Sequence, residues 1–232
     1  MLQQLDTTTT MKQQVILVDV MGATERLRAL NAAHPHVLGV TPHDKPCAGF
    51  VPIQVPDEWL PRNVFPDDYS RRCWWACGKL ALAAARDIDA DHFWMIESDC
   101  AANTRRWKAL IADHADNDED CVVISKMTRG NSPLNGFWDH PGTLPWMNLQ
   151  HIGCLYRLSR KAVQICLDTA ETYREAFGEL SIAGSVERAG GTVGIVNRTR
   201  THLNCQTITG GSPVAFNSAL INHPVKSNTF GP

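Results

Sequence analysis

His92-Phe93-Trp94-Met95-Ile96-Glu97-Ser98-Asp99 begins as a dense apolar run and ends in two carboxylates separated by one serine. Phe93 to Ile96 is short, bulky and free of polar alternation, which predicts a strand buried on both faces. Acidic residues then end it. In open α/β sheets, ligands bind outside the carboxyl ends of the strands, so the place where this strand stops is a candidate site.

The flanking sequence supports that setting. Val15-Ile16-Leu17-Val18-Asp19-Val20 predicts a buried strand, and Thr24 can cap a helix over 25–33. Residues 37–40 read as a second strand, broken by Thr41-Pro42-His43-Asp44-Lys45-Pro46. Prolines recur through Pro66, predicting a long surface loop. A helix over 69–86 carries an apolar stripe of Trp74, Cys77, Ala81 and Ala85. Beyond Asp99 come a helix over 104–115, an acidic turn and a strand over 121–125. A Gly/Pro/Trp-rich loop follows over 127–150, then a strand over 152–158 and a helix capped by Ser159 and running to 169. The last elements are a helix over 182–189, closed by Gly190-Gly191, and a strand over 193–196. The tail from 210 reads as irregular. Strands that alternate with helices predict an α/β fold, with a mostly parallel central sheet and helices on both faces.

The chain has 232 residues, 44% of them hydrophobic, which is enough for a sizeable core. Residues 1–12 read as a disordered leader and 13–232 as one domain. A formal net charge of -2 argues against a general nucleic-acid-coating protein. No apolar run approaches the ~20 residues of a membrane span, and the polar start lacks a secretory pattern. The eight cysteines include no Cys-x-x-Cys pair, so reduced structural thiols in a cytoplasmic protein are expected.

Two carboxylates delivered at a strand end suit a hard divalent cation such as Mg²⁺ or Mn²⁺, which takes oxygen ligands and bridges to phosphate. The plainer alternative is that Glu97 and Asp99 merely open the following helix, where acidic residues are common.

The Ala-rich stretch Gly78-Lys79-Leu80-Ala81-Leu82-Ala83-Ala84-Ala85-Arg86, followed by Phe93 to Asp99, resembles the core of GT-A glycosyltransferases. In that family such a helix precedes a strand ending in an Asp-x-Asp motif. The resemblance implies a GT-A-like, Rossmann-like fold and a nucleotide-sugar donor, with a UDP-sugar favoured. It also implies Mn²⁺ or Mg²⁺ held on the diphosphate by Asp99. Glu97 stands where the family has its first Asp, as a metal ligand or a donor contact. Asn222-His223-Pro224-Val225-Lys226 resembles the family's His-Pro-x-Lys tail. It implies His223 as a metal ligand and Lys226 near the diphosphate. Imidazole is an acceptable Mn²⁺ ligand and lysine a point charge for phosphate.

Further expectations follow from the same resemblance. Asp19 and Thr41, with Asp44, end the first two strands and would line the donor pocket. Lys79 would contact the donor; the alternative is a solvated helix face with Arg72 and Arg86. Glu179 stands where inverting members carry the base that deprotonates the acceptor, with Glu175 and Glu187 as competitors. Trp138, Asp139, Trp146, Asn148 and His151 lie in the loop expected to meet the acceptor, where indole faces suit sugar rings; core packing is the alternative for the tryptophans.

The expected activity is sugar transfer from a nucleotide sugar to an acceptor hydroxyl. The acceptor class stays open among glycans, small molecules and hydroxymethylated bases of viral DNA. A nucleotidyltransferase is the enzymatic alternative, disfavoured because Val20-Met21-Gly22-Ala23-Thr24 has a single glycine. A non-catalytic binding module is the alternative of another class.

Overall fold

The computed structural model describes residues 13–19, 28–41, 52–54, 60–63, 66–67, 72, 76, 79–97, 99–128, 139, 143–147, 149–150, 154–196, 203–205 and 221–223. In chain order the elements are β1 (Gln14–Asp19), α1 (Arg28–Asn31), β2 (Val37–Thr41), β3 (Pro52–Gln54), α2 (Lys79–Arg86) and β4 (His92–Glu97). They continue with α3 (Thr104–Asp113), β5 (Cys121–Val123), β6 (Met127–Thr128), β7 (Leu149–Gln150) and β8 (Leu155–Ser159). The last are α4 (Arg160–Thr172), α5 (Gly178–Arg188), β9 (Val193–Ile195), β10 (Leu203–Cys205) and β11 (Ile221–His223).

Among the described residues seven strands form one sheet in the order β3-β2-β1-β4-β8-β5-β9. The fold is α/β, as the alternating pattern predicts. Among the described strands of this sheet only β8 runs antiparallel, pairing β4 on one side and β5 on the other. Between β5 and β8 the described residues include the short antiparallel β6–β7 ladder.

Strand residues alternate between two cores. Val15, Leu17, Phe93 and Met95 pack toward α2, α4 and α5. Ile16, Trp94 and Ile96 pack on the other face with Trp107 and Leu110 of α3. Trp94 is fully buried, and its Nε1–H donates to Gln14 Oε1 at 2.9 Å, so its polar end is satisfied where water is excluded. Local caps set the helix ends. Asn103 accepts from the Arg106 N–H at 2.9 Å to start α3, and Ser159 accepts from the Ala162 N–H at 3.1 Å to start α4, as predicted. Such caps contribute about 1 kcal/mol each. Gly190 adopts φ 76° just past α5, a left-handed position that glycine takes without steric cost.

Two guanidiniums close the far end of the sheet. Arg160 donates to the carbonyls of Ala85 in the last turn of α2 and of Ile88 and Ala90 just beyond it, and lies 4.5 Å over the Phe93 ring. Arg157, fully buried in β8, donates to the carbonyls of His114 and, at 2.8 Å, Asn117 after α3. Cations at helix C-termini satisfy carbonyls that the helix leaves unpaired. Cys100, Cys121, Cys154 and Cys166 are buried free thiols. Burial pushes the Cys121 thiol up to about 12, which keeps it protonated and inert. No helix among the described residues is long and apolar enough to cross a membrane.

Candidate functional site

Parallel pairing brings the ends of the first three strands into one row. Asp19 is the register partner of Glu97 across β1 and β4. It is also the partner of Val40 across β1 and β2, which places Thr41 one residue further along the same edge. Three positions that lie far apart in sequence therefore meet at the carboxyl end of the sheet.

Past Glu97 the chain turns tightly. The Glu97 N–H donates to the Cys154 carbonyl at 2.9 Å, and the Cys100 N–H closes back onto the Glu97 carbonyl at 3.0 Å. Asp99, half-buried, rides on this turn. Ala101 then forms an antiparallel bridge with Asn222, each N–H donating to the other's carbonyl at 2.9 and 2.8 Å. The bridge brings the backbone of β11, which ends at His223, next to this turn. His223 pairs with Cys205 across the parallel β10–β11 ladder. The tail read as irregular from 210 thus contains β11, and that strand returns to the site. The sequence signal was present in Ala219-Leu220-Ile221, too short to count as a strand by itself.

Glu179 stands in the first turn of α5 and is half-buried. β8 descends to the far end, α4 climbs back over 13 residues, about 20 Å, and α5 starts from the same end of the sheet as Glu97 and Asp99. Of the competitors, Glu187 is exposed in the last turn of α5, toward the far end. Glu175 accepts from the backbone N–H groups of Arg62 and Asn63 at 2.9 and 3.0 Å.

Lys79 departs from the solvated-face alternative. It is fully buried rather than on a solvated face. Its Nζ donates to the carbonyls of Ala176 and, at 3.1 Å, Arg174. The ammonium thus serves the connection between α4 and α5, because carbonyls left unpaired beyond a helix attract a buried donor. Arg86 is exposed beside Asp87 at 3.1 Å, and Arg72 is half-buried. Trp146 packs edge-to-face on Tyr173 with ring centroids 5.5 Å apart, and the Arg188 guanidinium lies 4.6 Å over its ring. The indole joins a small cluster with Met147, Phe177 and Leu180, which is the packing alternative for this tryptophan. Asp139 is exposed. Asp44, Trp138, Asn148, His151 and Lys226 lie outside the described residues, and the side chains of Asp19, Thr41 and His223 are likewise not described. Among the described residues no group of three or more His, Cys, Asp or Glu side chains is gathered to hold a metal.

No protein-family profile matches this chain, and no curated protein matches it at a significant level. Among solved structures it is similar to CMP:2-keto-3-deoxy-manno-octonic acid synthetase complexed with CTP. The identity is 16%, with 79% of this chain and 89% of that one covered and a TM-score of 0.43. It is similar also to the inositol-1-phosphate CTP transferase from T. maritima, at 10% identity, 81% and 86% coverage and a TM-score of 0.43. A third likeness is to glucosyl-3-phosphoglycerate synthase from Mycobacterium tuberculosis in complex with Mg²⁺ and UDP. There the identity is 10%, the coverage 79% and 68%, and the TM-score 0.38. Likenesses this distant assign no activity to the chain, and a DNA acceptor finds no support among them.

Proposed function

We propose that this chain is a metal-dependent glycosyltransferase that moves a sugar from a nucleotide sugar, a UDP-sugar by preference, to an acceptor hydroxyl. The observation that supports it most is the backbone convergence of Asp19, Glu97, Asp99 and His223 at one end of the sheet. The donor set fits Mn²⁺ or Mg²⁺, because carboxylate oxygens and one imidazole are ligands that such cations accept. Bound there, the cation would supply charge neutralisation for the departing nucleoside diphosphate.

In this proposal Asp99 and His223 hold the cation and Glu97 serves as a third ligand or a donor contact. Asp19 and Thr41 line the nucleoside side of the pocket, and Lys226 offers its ammonium to the diphosphate. Glu179, in the first turn of α5, takes the proton from the acceptor hydroxyl if the reaction inverts configuration.

Thermal-shift screening tests the proposal. Stabilisation by UDP-sugars that requires Mn²⁺ is expected. Stabilisation by nucleoside triphosphates alone would favour nucleotidyl transfer, and no response to any nucleotide would favour a binding module.

A further inference from the structure

The segment that follows α3 is tied together by one side-chain amide. Asn117 Nδ2 donates to Glu119 Oε2 at 2.6 Å, and Asn117 Oδ1 accepts from the Glu119 N–H at 2.8 Å and from the Arg157 guanidinium at 3.1 Å. A flipped amide would set its oxygen against the carboxylate and its NH₂ against two donors, so these three bonds fix its orientation. The same Nδ2 faces His114 Nδ1 at 3.5 Å. With an N–H beside it, that ring nitrogen is the acceptor, and Nε2 carries the proton. His114 is buried, and among the described residues its Nε2 has no partner.

A second proton finds no acceptor in this arrangement. It would turn Nδ1 into a donor aimed at a donor, and would place another positive charge near the fully buried Arg157. The charged groups that face the ring are Arg157 from β8 and, from its own segment, Asp113 and Glu119; β4 presents the uncharged Trp94, edge-to-face at 5.7 Å. Glu119 is committed to Asn117 and packs on the bare backbone of Gly194 in β9, where its carboxyl leaves no room for a Cβ. The residues on either side are anchored separately. Trp107 and Leu110 seat α3 in the core. Asp120 accepts from the Thr192 N–H and Lys161, each at 3.0 Å, and from Ser159 Oγ at 3.1 Å, while its own N–H donates to Thr192 Oγ1 at 2.9 Å.

We propose that residues 114–119 form an acid-operated latch: protonation of His114 releases the segment as a unit, parts it from Arg157 and from Gly194 of β9, and leaves Asp120 and the sheet in place. The latch is independent of the proposed sugar transfer. Its closed state has its full advantage above the ordinary histidine value of 6.5 and yields as pH falls below it, because the open segment takes up the proton more readily.

The test is amide hydrogen exchange of the full chain, resolved by nuclear magnetic resonance and corrected for intrinsic exchange at each pH. The reporters are the N–H groups of Ala115, Asn117 and Glu119, which are bonded within the segment or to the end of α3. Between about pH 7.5 and 5.5 their protection is expected to fall by more than about twofold and by up to about 10-fold, the limit set by a free imidazole. The Asp120 amide is expected to hold within about twofold. His114→Phe keeps a ring against Trp94 without the titrating nitrogens and is expected to lose the pH dependence. His114→Gln is read in its place should the Phe variant fail to fold. A fall of less than about twofold at the three reporters in the parent chain would overturn the latch, as would an equal fall in the folded His114 variant. A fall of the same size at Asp120 would also overturn it, since the fold would then be opening as a whole.

Discussion

Asp19 stands directly opposite Glu97 on the adjacent parallel strand, so two acidic positions share one rung at the carboxyl end of the sheet. A cation that binds the folded chain and not the unfolded one stabilises it. A ligand at 100 times its Kd adds about 2.7 kcal/mol of stability, which for a chain of this size raises Tm by about 5–10 °C. Mn²⁺ is therefore expected to raise Tm by that order in the parent chain and by less than about 2 °C in Asp99→Ala, as read by differential scanning fluorimetry. An equal rise in both would separate the stabilisation from Asp99.

The buried Arg157 is expected to dominate the stability of the opposite end. Its fork reaches the carbonyls of His114 and Asn117 together with Asn117 Oδ1 at 3.1 Å. Arg157→Met would remove all three bonds, although His114 O and Asn117 Oδ1 keep the N–H groups of Asn117 and Glu119, and is expected to cost about 2–4 kcal/mol in urea denaturation. Arg157→Lys would recover little, since an ammonium cannot span the same acceptors as a planar guanidinium. A Lys variant within about 1 kcal/mol of the parent would show that charge alone suffices.

His114 gives the fold an acid-sensitive element. Burial lowers its pKa first, and the neighbouring Arg157 charge lowers it further, against the opposing pull of Asp113 and Glu119. Its ring packs edge-to-face on Trp94 at 5.7 Å between centroids. The folded chain thus favours the neutral imidazole more than the unfolded chain does. The resulting stability is complete above the unfolded value near 6.5 and is lost as pH falls through the folded one. Half-buried His34 is lowered chiefly by burial and contributes with the same sign. Urea midpoints are expected to fall between about pH 7.5 and 5.5, and less steeply in His114→Phe. Parallel pH profiles for the two proteins would contradict this assignment.

Glu175 ties the end of the proline-rich stretch to the turn before α5 through Arg62 and Asn63. Glu175→Ala is expected to cost about 1 kcal/mol, since both bonds are solvent-exposed, and to open the chain near residue 62 to trypsin. An unchanged cleavage pattern would show that this tie does not hold the segment.

The class of fold could be read from the sequence because β1, β2, β4, α3 and α4 each carry their own signal. These are continuous apolar runs for the buried strands, Asn103 at the α3 start and Ser159 at the α4 start. The direction of β8 was not legible, since strand composition does not encode polarity. It is set by the pairing of β8 with β4 and β5, whose partners lie far away in sequence. β10 and β11 were missed because three residues are too few for a period. They exist as strands through partners distant in sequence, such as Ala101 for Asn222. Asp19 and Glu97 could each be placed at a strand end, but their adjacency depends on strand order. The fate of Lys79 was hidden for a related reason: its partners, the carbonyls of Arg174 and Ala176, leave no trace in side-chain pattern.

The central claim is that Asp99 holds a cation on which sugar transfer depends. The most direct measurement is release of nucleoside diphosphate from a panel of sugar nucleotides, followed by mass spectrometry with Mn²⁺, with excess EDTA, and with Asp99→Ala. Release from at least one UDP-sugar with Mn²⁺ is predicted, falling at least about 100-fold with EDTA and equally in Asp99→Ala, as expected when a group stabilising departing charge is removed. Release that persists undiminished in excess EDTA, or in Asp99→Ala, would contradict the claim.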